Sequence, residues 1–253
     1  MLKKRVIAVV IIKDGSVVQS EGFKHTNVIH SDAYHAVEAF NRWAVDEIVL
    51  LNVSSSSDTQ GEFIKIVERV SETCFIPLSV GGWIDSEEYA AKLIEKGADK
   101  LVLNTLWETD VKTANRLSKR FGKQCIVASI DVKEISKRKE VFIGRGKKHL
   151  KIAALDWAKR CIENGAGEIF INNIDHDGLR KGYDLETVGI LSSELNVPVI
   201  AFGGVFDWKH MADGLRAGAD AVAAANIFHY KELAAKQAKR YLTRKGFNLR
   251  KVV

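Results

Sequence analysis

Asp131 closes an apolar stretch, Ile126-Val127-Ala128-Ser129-Ile130, and a carboxylate in that place is suited to moving protons rather than to packing. Acid–base work on one substrate usually needs two such groups, one to give and one to take. The chain repeats itself once, and the repeat sets Ile11 opposite Asp131, where isoleucine has no proton to exchange. A second acidic group stands in Asn173-Ile174-Asp175-His176-Asp177-Gly178. His176 there reads either as a general base or as a surface side chain. Two glycine pairs, Gly81-Gly82 and Gly203-Gly204, are each followed further on by a candidate partner pair, Asn104-Thr105 and Ala225-Asn226. Backbone N–H groups that a glycine lets come close suit a phosphate, so a ligand with a phosphate at each end fits the pattern. Asn52 and Asn172 end apolar stretches and would offer a ligand neutral hydrogen bonds. Arg5, Glu47, Lys100 and Glu168 form a different set, each at the start of a β-rich stretch. Two cations and two anions there read first as a salt-bridge plug, of small net value because the charges must be desolvated.

These groups need a scaffold, and the repeat supplies it. Asp46-Glu47-Ile48-Val49-Leu50 returns as Gly167-Glu168-Ile169-Phe170-Ile171, Pro77 returns as Pro198, and Gly97-Ala98-Asp99 returns as Gly218-Ala219-Asp220. The differences 167−46, 198−77 and 218−97 are all 121, whereas pairing Gly81 with Gly203 gives 122 and implies a one-residue slip. Self-similarity at a fixed offset marks a duplicated unit. Apolar, β-branched runs predict strands over residues 6–12, 48–53, 76–80, 100–103, 125–130, 169–173, 199–201 and 221–224. Amphipathic spacing predicts helices over about 32–44, 59–73, 86–96, 109–121, 151–164, 185–195, 207–217 and 231–244. Eight strand–helix pairs in two copies of four predict an α/β fold, a single (β/α)8 TIM barrel. Its half-barrels are residues 1–122 and 123–245 of one domain, 1–253. A doubly wound open sheet is the alternative. Residues 13–31 and 132–150 are expected as long loops over the C-terminal mouth, free to act as lids.

Composition narrows the classes of function. The chain has 253 residues, 46% apolar and 28% charged, with a formal charge of +6. The positive balance invites nucleic acid, but the basic residues are scattered and no aromatic platform accompanies them, so no nucleic-acid partner is expected. The clusters Lys137-Arg138-Lys139 with Arg145-Lys147-Lys148, and Lys236-Lys239-Arg240-Arg244-Lys245, are read as a loop able to attract an anion and as a solvated helix face. Cys74, Cys125 and Cys161 are odd in number and widely spaced, which argues for free thiols over disulfides or a zinc site. No apolar run is long enough to span a bilayer. A cytoplasmic location without membrane, metal or cofactor is the expectation.

Taken together, the motifs resemble those of the cyclase subunit family of imidazole glycerol phosphate synthase, the ammonia-using half of a glutamine amidotransferase. The resemblance runs from Met1 to the C-terminal helix. It rests on Lys4-Arg5, Lys13-Asp14-Gly15, Val80-Gly81-Gly82, Gly97-Ala98-Asp99-Lys100, Asn104-Thr105, Ile174-Asp175-His176-Asp177-Gly178, Gly182-Tyr183-Asp184, Gly218-Ala219-Asp220-Ala221 and Phe228-His229. It implies a half-barrel duplication and two phosphate sites. One would use Gly82, Asn104 and Thr105, the other Asp177, Gly178, Gly203, Gly204, Ala225 and Asn226. It also implies that Arg5, Glu47, Lys100 and Glu168 form an ammonia gate at the barrel bottom, with Asp99 touching a docked glutaminase. Of the family's two catalytic aspartates, Asp131 matches one and Ile11 replaces the other. Trp83, Gln19, Asn52, Phe202 and Leu179 depart from the pattern at the same end. An intact gate beside a trimmed mouth is similar to a second branch of the family, which works with a glutaminase and a sugar amidotransferase in surface-polysaccharide biosynthesis. The implied role is ammonia supply for converting an acetamido to an acetamidino group. The alternatives are the histidine-pathway cyclase itself and a non-catalytic scaffold that activates the glutaminase.

Overall fold

The computed structural model describes residues 3–230 and 233–250. Its strands, in chain order, are β1 (Arg5–Lys13), β2 (Ser16–Glu21), β3 (His25–His30), β4 (Glu47–Asn52), β5 (Leu78–Gly81), β6 (Lys100–Leu103), β7 (Ile126–Ile135), β8 (Arg138–Ile143), β9 (Lys148–Ala153), β10 (Glu168–Asn173), β11 (Val199–Phe202) and β12 (Ala221–Ala224). Eight of them, β1, β4, β5, β6, β7, β10, β11 and β12, pair in parallel in that order, and β12 returns to pair with β1. The sheet is therefore closed, a (β/α)8 barrel and not a doubly wound sheet.

Closure sorts the side chains by parity. On β1, Ile7, Val9 and Ile11 point into the barrel and join Val49, Val102, Val127, Phe170, Ile200 and Phe202 in one apolar interior. Their neighbours Val6, Ala8, Val10 and Ile12 face outward into the layer shared with the helices. Both faces of each strand are thus covered, which is why the runs contain hardly a polar residue. Burying each such side chain is worth roughly 1.5–3 kcal/mol. The helices that cover the barrel are α1 (Ala33–Arg42), α2 (Gln60–Ser71), α3 (Glu87–Glu95), α4 (Leu106–Thr109), α5 (Val111–Phe121), α6 (Ala154–Glu163), α7 (Leu185–Glu194), α8 (Trp208–Arg216), α9 (Asn226–Tyr230) and α10 (Ala234–Arg244). Side-chain caps start several of them: Ser86 accepts from Tyr89 N, Asp110 from Thr113 N, Asp184 from Thr187 N and Asp207 from His210 N. None of the described helices is long and apolar enough to cross a membrane.

Three sequence expectations need correction. The segments 13–31 and 132–150 are not loops: β1 and β7 run on past the barrel, and each turns back through an antiparallel hairpin, β2–β3 and β8–β9. β1 turns into β2 at Asp14-Gly15, with φ of 49° and 76°, and β7 into β8 at Ser136-Lys137, with φ of 48° and 66°. Two consecutive left-handed residues match the twist of a hairpin, and Asp-Gly is its common sequence signal. The C-terminal basic cluster is not wholly a solvated face, because Lys239 is 2% exposed and donates to Asp46 Oδ1 at 2.5 Å. Finally, the repeat needs no slip at the glycine pairs. Gly82 (φ 110°) and Gly203 (φ 93°) share a backbone conformation, as do Trp83 (φ 56°) and Gly204 (φ 79°), and 203−82 and 204−83 are both 121.

Candidate functional site

Arg5, Glu47, Lys100 and Glu168 lie two residues before Ile7, Val49, Val102 and Phe170, so parity turns all four toward the barrel axis. They close a ring of alternating charge. Arg5 Nη1 is 2.8 Å from Glu47 and 3.2 Å from Glu168, while Lys100 Nζ is 3.2 Å from Glu47 and 3.1 Å from Glu168. The spare oxygen of Glu47 accepts the Ser79 hydroxyl at 2.6 Å. Burial works against the charge of Arg5, but Glu168 and Glu47 outweigh it and raise the pKa of the guanidinium. Each charge in the ring has partners on both sides, which is what a buried ionic group requires. Beside the ring, Asp99 is exposed and accepts the Leu78 N–H at 2.8 Å, ordering the start of β5, and Phe75 lies 89% exposed just before the same strand.

At the opposite end, Asp131 is buried between two amides. Its Oδ1 accepts from Asn172 Nδ2 at 3.3 Å and its Oδ2 from Asn104 Nδ2 at 3.0 Å. Burial pushes its pKa up to about 7; the Asn172 bond opposes this, Asp177 adds to it, and Asn104 and Lys133 oppose it. Asp177 is raised to about 6, again by burial first, with the Ser20 hydroxyl at 2.7 Å and the Phe23 N–H holding it down. Both values place the group close to neutrality, where a positioned carboxyl exchanges protons most effectively. Ile11 sits in the apolar interior at 6% exposure. Asp14, three residues on, is exposed in the hairpin turn, and its N–H bonds the Ser54 hydroxyl.

The two glycine pairs have different surroundings. Asp177, Gly178, Gly203, Gly204, Ala225 and Asn226 line one cavity of about 170 Å³, rimmed by Gln19, Arg180, Phe206 and Tyr230. Asn226 Oδ1 is buried there without a protein partner. In the other half, Asn104 is spent on Ser129 O and Asp131, and the Thr105 hydroxyl donates to Asn104 and accepts from Gly144 N. Gly82 is required by closeness, since a Cβ there would lie 2.2 Å from Asn52 O.

Asn52 does not face the mouth. Inward parity on β4 belongs to Val49 and Leu51, and Asn52 instead bonds Thr59 Oγ1 through Nδ2 and Ser54 N through Oδ1. Its twin at the 121 offset is Asn173, which does the same with Asp184 and Asp175 N, while Asn172 faces inward. His176 gives its Nδ1–H to Gly182 O at 2.8 Å and so holds the turn after β10. Ser20 and Phe23 were invisible to motif reading. They arrive on the β2–β3 hairpin, and the Asp14-Gly15 turn that leads from β1 into β2 was the available signal. Among the described residues no group of His, Cys, Asp and Glu is arranged to hold a metal ion. Cys74, Cys125 and Cys161 are free thiols.

Comparison with known proteins adds the family. Residues 5–234 match the model of the family described as "Histidine biosynthesis protein". Three relatives, each called "Imidazole glycerol phosphate synthase subunit HisF", align over 99% of this chain and the whole of their own length. They come from Chlorobium phaeovibrioides at 37% identity, Chlorobium phaeobacteroides at 38% and Natranaerobius thermophilus at 35%. Barrel, offset repeat and end-to-end similarity agree, and the chain belongs to the histidine biosynthesis protein family.

Proposed function

We propose that the chain is the ammonia-using synthase subunit of a glutamine amidotransferase complex, fed by a glutaminase docked on the N-terminal face of the barrel. The observation that carries this reading is the ring of Arg5, Glu47, Lys100 and Glu168 around the axis. A plug made only for stability gains little from four desolvated charges, whereas a small neutral molecule can pass where ion pairs part briefly. Above the ring the inward side chains are mainly apolar as far as Asp131, a path on which ammonia would stay unprotonated. Asp99 and the exposed Phe75 give the docking face a charge and an aromatic anchor. Titration with a glutaminase subunit of the imidazole glycerol phosphate synthase type tests this. Phe75→Glu should weaken binding by about 30-fold, as loss of a central aromatic anchor does. Unchanged affinity would remove the docking face from the account.

The acceptor has two readings. The names of the relatives favour the histidine-pathway cyclase over the polysaccharide role. Under that reading Asp131 works in a mouth where Asp177, raised to about 6 and bound to Ser20, is a second acid acting on it. Ile11 favours the other reading, an acetamido sugar brought by a sugar amidotransferase and converted to the acetamidino form. An aliphatic residue at 6% exposure cannot serve as the second acid–base group in a ring closure.

A further inference from the structure

The duplication makes the mouth its own control. Trp83 and Gly204 are twins at the 121 offset, as are Asn104 with Ala225 and Thr105 with Asn226. Around Gly204 the backbone opens on the 170 Å³ cavity. Around Trp83 the indole itself, with Gln60 and Arg145, packs against the equivalent loop. A bulky residue at φ 56° persists only when its surroundings hold it there. The indole N–H donates to Ser54 O at 3.0 Å, and Gln60 Nε2 donates to Trp83 O at 2.7 Å. From the β8–β9 hairpin tip, Arg145 lies over the indole with its guanidinium carbon 5.5 Å from the ring centre. Arg145 also donates to Ser54 O at 3.0 Å and Ser55 O at 3.4 Å, so the guanidinium is anchored on backbone carbonyls. Gly144 N at the same tip bonds the Thr105 hydroxyl. The side-chain donors of Asn104, Thr105, Trp83 and Arg145 in this half are thus already engaged with protein.

We propose that Trp83, clamped by Arg145, seals the first-half twin of the cavity, so that the mouth holds its acceptor by a single anionic group seated against Gly203, Gly204 and Asn226. Trp83 is the specificity determinant, excluding ligands that carry a phosphate at each end and admitting those with one, while Arg145 is packed over its ring and is no ligand of the phosphate. This rests on the mouth being the acceptor site, yet it is tested without ammonia or glutaminase, so either idea can fail alone. The probe is inorganic phosphate, counted by equilibrium dialysis against the full chain. Wild type should bind one phosphate, Trp83→Gly two, and Arg145→Ala still one. An alkanediol bisphosphate long enough to span the mouth should bind wild type with only about the two-fold statistical advantage over its monophosphate, whereas two working sites would give about 10²-fold or more through avidity. Two phosphates on wild type, none at all, a count unchanged in Trp83→Gly, a loss in Arg145→Ala, or a strong preference for the bisphosphate would each overturn the proposal.

Discussion

Asp131 is a buried carboxyl at the mouth, and its environment dictates how it titrates. Its pKa in the fold is about 7 against an ordinary value of 3.8, so ionisation is disfavoured by folding. The sign follows directly: a raised carboxyl leaves stability intact at acid pH and erodes it as pH climbs through the folded value. Asp131→Asn should therefore melt a few degrees above wild type at about pH 8, and the difference should vanish near about pH 4. Thermal denaturation at both values checks this, and a gap that widened toward acid would refute the assignment of burial as the main cause. Asn104 and Asn172 hold the two oxygens in place whichever proton state is present. That division of labour was partly legible in the sequence. Asp131 declared itself by ending an apolar run, but Asn172 was separated from Asn52 only by parity, which needs the strand register.

Among the elements, the barrel strands and the repeat could be read directly because burial on both faces leaves no polar residues to blur them. The two hairpins could not. Their alternation is weak, β3 being largely exposed, and the expectation of lid loops absorbed them. Consequently Ser20 and Phe23, delivered by a hairpin, were missed as parts of the mouth, and Arg145, expected to attract an anion there, instead bonds the carbonyls of Ser54 and Ser55. Two elements make sharp energetic predictions. Asp184 caps α7 through Thr187 N at 3.2 Å and also accepts from Asn173 Nδ2 at 2.7 Å. Asp184→Ala should cost about 2 kcal/mol by chemical denaturation, the upper end for a lost cap, because a buried amide is orphaned with it. Lys239 ties α10 to Asp46, which in turn accepts Val6 N at 2.8 Å. Removing one partner of a buried pair strands the other, so Lys239→Ala should cost about 3 kcal/mol or more. A loss below ~1 kcal/mol would mean that the pair is solvated in the folded chain.

For the molecule as a whole, the two ends of one barrel have been treated differently. The bottom carries a ring of four charges, whereas at the mouth the buried carboxyl of Asp131 has its counterpart on β1 in the aliphatic Ile11. Fold and family followed from the offset of 121 and the motifs strung along it, but neither identifies the acceptor. The ring makes a prediction of its own. Glu47→Gln leaves Arg5 and Lys100 sharing one carboxylate and should cost about 3 kcal/mol in a urea titration. The same substitution should depress glutamine-driven turnover in the complex while leaving turnover on saturating ammonium salt nearly intact. Equal losses on both nitrogen sources would place Glu47 outside the passage.

The most direct measurement is ammonia-dependent turnover of the histidine-pathway cyclase intermediate by wild type and by Ile11→Asp. With one acid–base group missing, wild type should run close to background, and the aspartate should raise the rate by about 10²-fold or more. A wild-type rate equal to that of a working cyclase, unmoved by Ile11→Asp, would contradict the account and return the chain to histidine synthesis.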